Sequence, residues 1–249
     1  MGGRGGRSGM TVGYTAAPST DDNDVIQSQP DGDVDFIDQN KLMAMTDFEF
    51  MDFLRDLSKV DMPMFMPNWD TQKAIYSMQL NDTPEVVDDK TFNSLPGTTM
   101  YRTVDSQYDK ATDVNMNAND IMQQLMYGRL NRIGGGYYGD GHYFANSYNE
   151  SKVYGTHLNN VQKTAVVKMK FNNKARIITD RKLRSMLANE PKSIRTMISR
   201  LSSGKNGHGG ELAVYALRKG YNVIHDGWSY YNVIDRSVMI MSKTIRPKT

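Results

Sequence analysis

Cysteine is absent from this 249-residue chain, and histidine is scarce, limited to His142, His157, His208 and His225. Without thiols there are no disulfides and no thiolate metal sites, and four scattered imidazoles show no ligand spacing, so no structural or catalytic metal is expected. Long apolar runs are missing as well. No stretch approaches the ~20 residues that a membrane-spanning helix needs, and the first residues carry no charged region followed by a hydrophobic one. The expectation is a soluble protein with no membrane partner, not exported by the standard route. Net charge is small, at +2, but unevenly spread. Residues 1 to 40 hold two arginines against seven aspartates, which leaves a modestly basic body suited to a polyanion such as a dinucleotide, or simply to a solvated surface.

What is present suffices for one substantial core: 39% of residues are hydrophobic and 23% charged. Residues 1 to 40, with GGRGGRSG and then PSTDDNDVIQSQPDGDVD, predict a disordered tail. Two arginines are too few for an arginine-glycine box, and aromatic residues are not interleaved with basic ones, so nucleic acid is not an expected partner. Residues 41 to 96 read as a helical cap region. Thr46 and Glu49 form a capping-box signature ahead of Phe48, Met51, Phe53, Leu54 and Leu57. Pro63 and Pro67 interrupt the pattern, a second helix is predicted to carry Ile75, Tyr76, Met78 and Leu80, and a short one covers Asp89 to Leu95. Met62, Met64 and Met66 at the break suit irregular core gaps, or an adaptable partner surface.

From residue 97 the composition changes. TTMYRTV, QKTAVVKMKF, ARIIT, YNVI and YYNVIDRSVMIM read as strands, while NANDIMQQLMY, DRKLRSMLA, PKSIRTMISRLS and GGELAVYALRKG read as helices. The two types do not alternate strictly, and no Gly-x-Gly-x-x-Gly leads from a strand into a helix, so a doubly wound sheet is excluded. An α+β fold with a split, mostly antiparallel sheet and a helical N-terminal region is the expectation.

The segment Gly139 to Gly155, GDGHYFANSYNESKVYG, is the most specific in the chain. Gly139 and Gly141 free the backbone before Tyr143-Phe144-Ala145, a triplet suited to a strand. Ser147 or Asn149 then caps a short helix on which Ser151 and Tyr154, three apart, share a face. Two tyrosines and a serine can thus converge on a flat heteroaromatic amide. The alternative is that Tyr143, Phe144 and Tyr154 fill a core and the glycines make an ordinary hairpin.

This order of residues resembles the central motif of the ADP-ribosyltransferase superfamily, with spacing closest to its poly-ADP-ribose polymerase branch. The resemblance implies NAD as substrate and a fold of ADP-ribosyltransferase type over residues 97 to 249. It implies that Tyr143 and Tyr154 bracket the nicotinamide ring and that Ser151 bonds its carboxamide. Arg102, in MYRTV, stands where the family places an arginine or a histidine, so it is expected to hold the dinucleotide while the backbone of Thr103 bonds the amide. Taken alone, Arg102 suits a strand-edge ion pair equally well.

The family's catalytic acid, a glutamate, belongs at the start of the last core strand, where it stabilises the cation that develops on the ribose. Counting back from Asp235 lands on Tyr230, and neither Ser229 nor Tyr231 is acidic. Asp226 in the HDGWS turn and Glu211 at a helix start are the remaining candidate catalytic carboxylates, although a helix start favours acids through its dipole anyway. Trp228 is expected either to meet the acceptor or to anchor a core. The reading is therefore a mono-ADP-ribosyltransferase-like protein that moves ADP-ribose from NAD to a protein or other acceptor. Its alternative is a catalytically degenerate structural or binding protein that keeps the fold. The glycine-arginine-rich start resembles small proteins encoded in bacteriophage genomes. That likeness implies the host cytoplasm or a virion as location, and a phage particle component as the degenerate form.

Overall fold

The computed structural model describes residues 39–57, 83–105, 107–109, 114–127, 141–152, 164–201 and 210–245. The expected tail falls outside them save for Gln39 and Asn40, which begin helix α1 (Gln39–Ala44). The helix expected to carry Ile75 to Leu80, and the methionines at 62, 64 and 66, also lie outside the described residues.

Among the described residues, eight strands form one continuous sheet, where the sequence predicted a split one. The strands are β1 (Glu85–Val87), β2 (Met100–Asp105), β5 (His142–Ala145), β6 (Thr164–Phe171), β7 (Ile177–Thr179), β8 (Val223–His225), β9 (Tyr230–Val233) and β10 (Met239–Ser242). Their order is β1-β10-β6-β2-β5-β9-β8-β7. The five inner pairings are antiparallel, and only the outermost, β1 with β10 and β7 with β8, are parallel. Two short strands, β3 (Gln107–Asp109) and β4 (Val114–Met116), pair with each other outside this sheet.

Alternation along the strands feeds two cores on opposite faces. One face carries Ile178, Ile224 and Ile234 against α1, α2 (Asp47–Leu57), α6 (Asp180–Ala188), α7 (Lys192–Leu201) and α8 (Gly210–Arg218). The other carries Met100, Val104, Phe144, Val167, Met169 and Val233 against α4 (Ala118–Tyr127). In β8, Val223 joins the second core and Ile224 the first, which is why these successive positions are both apolar. Helix α4 contributes Ile121, Met122, Leu125 and Met126, all nearly fully buried. Each such side chain is worth about 1.5–3 kcal/mol in transfer free energy.

The Thr46 capping box forms as the sequence predicts: Glu49 N donates to Thr46 Oγ1 at 3.3 Å, and Thr46 N donates to Glu49 Oε2 at 2.7 Å. The stretch read as purely helical nevertheless contains a strand. Val86 and Val87 are β-branched, and β1 pairs beside the otherwise open edge of β10. Helix α3 (Asp89–Ser94) follows, capped by Asp88 at 2.9 Å. Its end is fixed by buried Lys170, whose Nζ donates to Phe92 O at 3.1 Å and to Leu95 O at 2.6 Å, a cation at a helix C-terminus.

YYNVIDRSVMIM, read as one strand, is two. Asp235 accepts from Ser237 N at 2.8 Å and caps a single 3-10 turn over Arg236–Val238. That turn carries the chain from β9, beside β5, across to β10, beside β6.

Candidate functional site

Strands β2, β5 and β9 are neighbours at the middle of the sheet. Tyr101 lies opposite Ala145, and Ala145 opposite Tyr230; Tyr143 lies opposite Asn232. Because side chains alternate, Tyr101, Thr103, Tyr143, Ala145 and Tyr230 share one face, while Arg102 shares the other with His142 and Phe144. Gly141 immediately precedes β5 because nothing larger fits: a Cβ there would stand 2.0 Å from Asn232 Oδ1 and 2.9 Å from the Val233 carbonyl oxygen.

Helix α5 (Tyr148–Ser151) lies over the face of Thr103 and Tyr143. Ser147 caps it, accepting from Glu150 N at 3.2 Å. Ser151 is buried, with its Oγ 3.0 Å from Thr103 Oγ1. Its own hydroxyl donates to Tyr148 O at 2.8 Å, so the Thr103 hydroxyl is the donor between the two. Tyr148 packs edge-on against Tyr101, with centroids 5.9 Å apart. One residue before Ser151, Glu150 turns the opposite way. Its Oε2 accepts from Ser147 Oγ at 2.8 Å, its Oε1 accepts from the Ser229 hydroxyl, and its backbone oxygen accepts from Tyr230 Oη at 3.5 Å. The short helix thus bridges β2 on one side and the start of β9 on the other, with Tyr143 on the strand between.

The turn before β9 is organised by Asp226. Its Oδ1 accepts from the backbone N–H groups of Trp228, Ser229 and Tyr230 at 2.7, 2.9 and 3.1 Å, and Asp226 N donates to Tyr230 O at 3.0 Å. Gly227 supplies the left-handed conformation this requires, at φ +93°. The Asp226 carboxylate is therefore occupied in building the turn. Trp228 at its tip is 84% exposed, so it anchors no core. The Trp228 carbonyl accepts from Asn146 Nδ2 at 3.2 Å, which ties the turn to the end of β5.

The opposite face holds a cationic cluster in which His142 and Arg236 are buried and Arg102 is half-buried. Arg102 NH1 lies 3.5 Å from His142 Nδ1. Burial pushes the Arg102 guanidinium down to about 10, with the nearby Tyr143 hydroxyl acting in the other direction. Arg102 therefore keeps its charge at neutral pH. Burial first, then the charges of Arg102 and Arg236, hold His142 well below the ordinary imidazole range. The folded protein keeps this ring neutral while the unfolded chain takes up a proton below about pH 6.5. Stability that is intact above about pH 6.5 is thus lost as the pH falls toward the depressed folded-state value. Stability from urea titrations at pH 7, 6 and 5 should fall, with a His142 contribution of about 0.7 kcal/mol over the first unit and approaching about 1.4 kcal/mol per unit below it. The slope should flatten by that amount in His142→Gln.

Thr103, Tyr143 and Ser151 are brought together. Arg102 is adjacent along the chain, but its side chain is on the other face. Tyr154 lies outside the described residues. Glu211 sits in the first turn of α8, on the helical core side of the sheet, and its side chain lies outside the described residues. Glu150, which the sequence reading did not single out, is signalled in the sequence by the Ser147-x-x-Glu150 capping-box spacing.

Among the described residues no group of three or more His, Asp or Glu could hold a metal, and no helix is long and apolar enough to cross a membrane. Comparison of the chain with family models, with curated proteins and with solved structures finds no match.

Proposed function

We infer that the chain binds NAD on the Tyr143 face of the sheet and acts as a mono-ADP-ribosyltransferase-like protein, passing ADP-ribose to a protein or other acceptor. The observation that carries this reading is the buried contact between Ser151 and Thr103, on the same face as Tyr143. An aromatic ring and a hydroxyl at one strand end suit a planar amide: the ring stacks while the hydroxyl bonds the carboxamide. In this reading Tyr143 and Tyr154 bracket nicotinamide, the Thr103 backbone completes the pocket, and Ser151 bonds the amide by exchanging its present bond to Tyr148 O for one to the ligand. Arg102, which faces His142 on the opposite side of the sheet, takes no direct part in this pocket.

A second reading, a binding or structural protein that keeps the fold without the chemistry, is favoured by Tyr230. It opens β9, where the resemblance calls for an acid.

Titration with NAD, together with nicotinamide release from labelled NAD, tests both. Wild-type protein should bind saturably, and Tyr143→Ala should weaken binding about 5- to 150-fold, the range for loss of about 1–3 kcal/mol of stacking. Nicotinamide release separates the enzyme from the degenerate form. Absence of saturable binding by folded wild-type protein would sink the NAD reading altogether.

A further inference from the structure

We propose that Glu150 is the catalytic carboxylate of this site, supplied from helix α5 to the position that Tyr230 leaves without an acid. The inference rests on the NAD reading above and goes beyond it by naming the group that stabilises the reacting ribose.

The argument is positional. The strand order β2-β5-β9 places Tyr143 on the middle strand, and neighbouring residues of α5 reach to either side of it. Ser151 reaches Thr103 on β2, whereas the Glu150 carboxylate reaches the Ser229 hydroxyl in the turn immediately before β9. A nicotinamide ring stacked on Tyr143 with its amide toward Ser151 has the attached ribose leaving on the side of β9. That is the side on which Glu150 stands. Ser147 and Ser229 donate to its two oxygens, one each. The carboxylate is therefore oriented by hydroxyl donors and no cation neutralises it among its described hydrogen-bond partners. It is half-buried, open enough to meet a ligand.

A simple capping box explains less. There the glutamate would return to the backbone N–H of the cap residue; Glu150 instead bonds the Ser147 hydroxyl and crosses to another strand.

The reaction balances with these groups. The bond between the ribose C1′ and the nicotinamide nitrogen breaks, and its electron pair passes to the ring nitrogen, so neutral nicotinamide leaves. The positive charge remains on the ribosyl carbon and ring oxygen, where the Glu150 carboxylate stabilises it. An acceptor hydroxyl or water then bonds C1′ and releases its proton to Glu150 or to solvent.

The test uses full-length protein and reads NAD affinity, nicotinamide release and the melting temperature of each variant. Glu150→Gln keeps the shape and the acceptor oxygen but removes the charge. The expected result is a melting temperature and an NAD affinity close to wild type, with turnover lowered by about two to three powers of ten. A purely structural clamp would survive this change, so turnover equal to wild type overturns the proposal while leaving NAD binding intact. Wild-type protein that binds NAD without releasing nicotinamide overturns it too. Absence of NAD binding overturns the underlying reading together with it. If Glu150→Gln does not fold, Glu150→Asp decides: the carboxylate withdrawn by one methylene should lower turnover at least tenfold at unchanged affinity, and unchanged turnover overturns the assignment.

Discussion

Gly141→Ala is expected to lower stability by about 3 kcal/mol. The added methyl would stand 2.0 Å from Asn232 Oδ1 and 2.9 Å from the Val233 carbonyl oxygen. Neither neighbour can yield easily, since Asn232 is fully buried and the carbonyl belongs to the β9 backbone. Relief requires β5 and β9 to separate at His142 and Val233, which is where their pairing begins. Overpacking of this kind costs about 1–3 kcal/mol, and here a backbone clash sets it at the upper end. For a chain of this size that is a fall in melting temperature of about 6–12 °C. Gly227→Ala provides the contrast. Nothing lies within 4 Å of a Cβ there, but φ is +93°, so its cost is torsional, about 1 kcal/mol, and the β5–β9 ladder survives. Equal losses in the two variants would show that packing around Gly141 is not what holds the ladder in register.

Arg236→Ala should be comparably damaging, at about 3–5 kcal/mol, whereas Arg236→Met should cost about 1–2 kcal/mol. Arg236 is completely buried, and its NH1 donates to Leu125 O at 3.2 Å, in the last turn of α4. A cation there is favoured by the helix dipole and satisfies an end carbonyl. Either substitution leaves the buried Leu125 carbonyl short of a donor, but truncation to alanine leaves a cavity as well. Methionine fills most of the volume and removes the buried charge, and replacing a buried charge by an apolar side chain of similar size is often close to neutral. The same substitution removes one of the two charges that depress His142. In Arg236→Met the acid loss of stability assigned to His142 should therefore span a narrower pH range. Chemical denaturation of both variants at pH 7 and pH 5 measures the pair, and a methionine variant as unstable as the alanine one would remove the argument from charge burial.

Local signals carried much of the fold. The Thr46 capping box, the short helix beginning at Asp89, the cap at Ser147 and the strands around Arg102 and Tyr143 are set by side-chain-to-backbone bonds within a few residues or by β-branched and aromatic content. Such interactions are visible in a window of the chain. The break of YYNVIDRSVMIM was less visible, because Asp235 as a cap competes with apolar residues on both sides that favour continuing the strand. The strand at Glu85–Val87 is too short to stand out, and it exists because an edge of β10 is there to pair with.

The candidate site divides in the same way. By itself the sequence determined that Tyr143 lies on a strand entered through Gly141, that Ser151 lies on a short helix just after it, and that no acid stands at the start of β9. Only the tertiary structure decided which of these groups share a face. A one-residue step along β2 puts Thr103 with Tyr143 and sends Arg102 to the opposite side, and only the pairing register reveals which residue goes where. The tertiary structure alone also decided that Glu150, 79 positions before Ser229, meets the strand that lacks an acid. Contacts across that separation arise from the order in which strands pair, which no local pattern of side chains encodes.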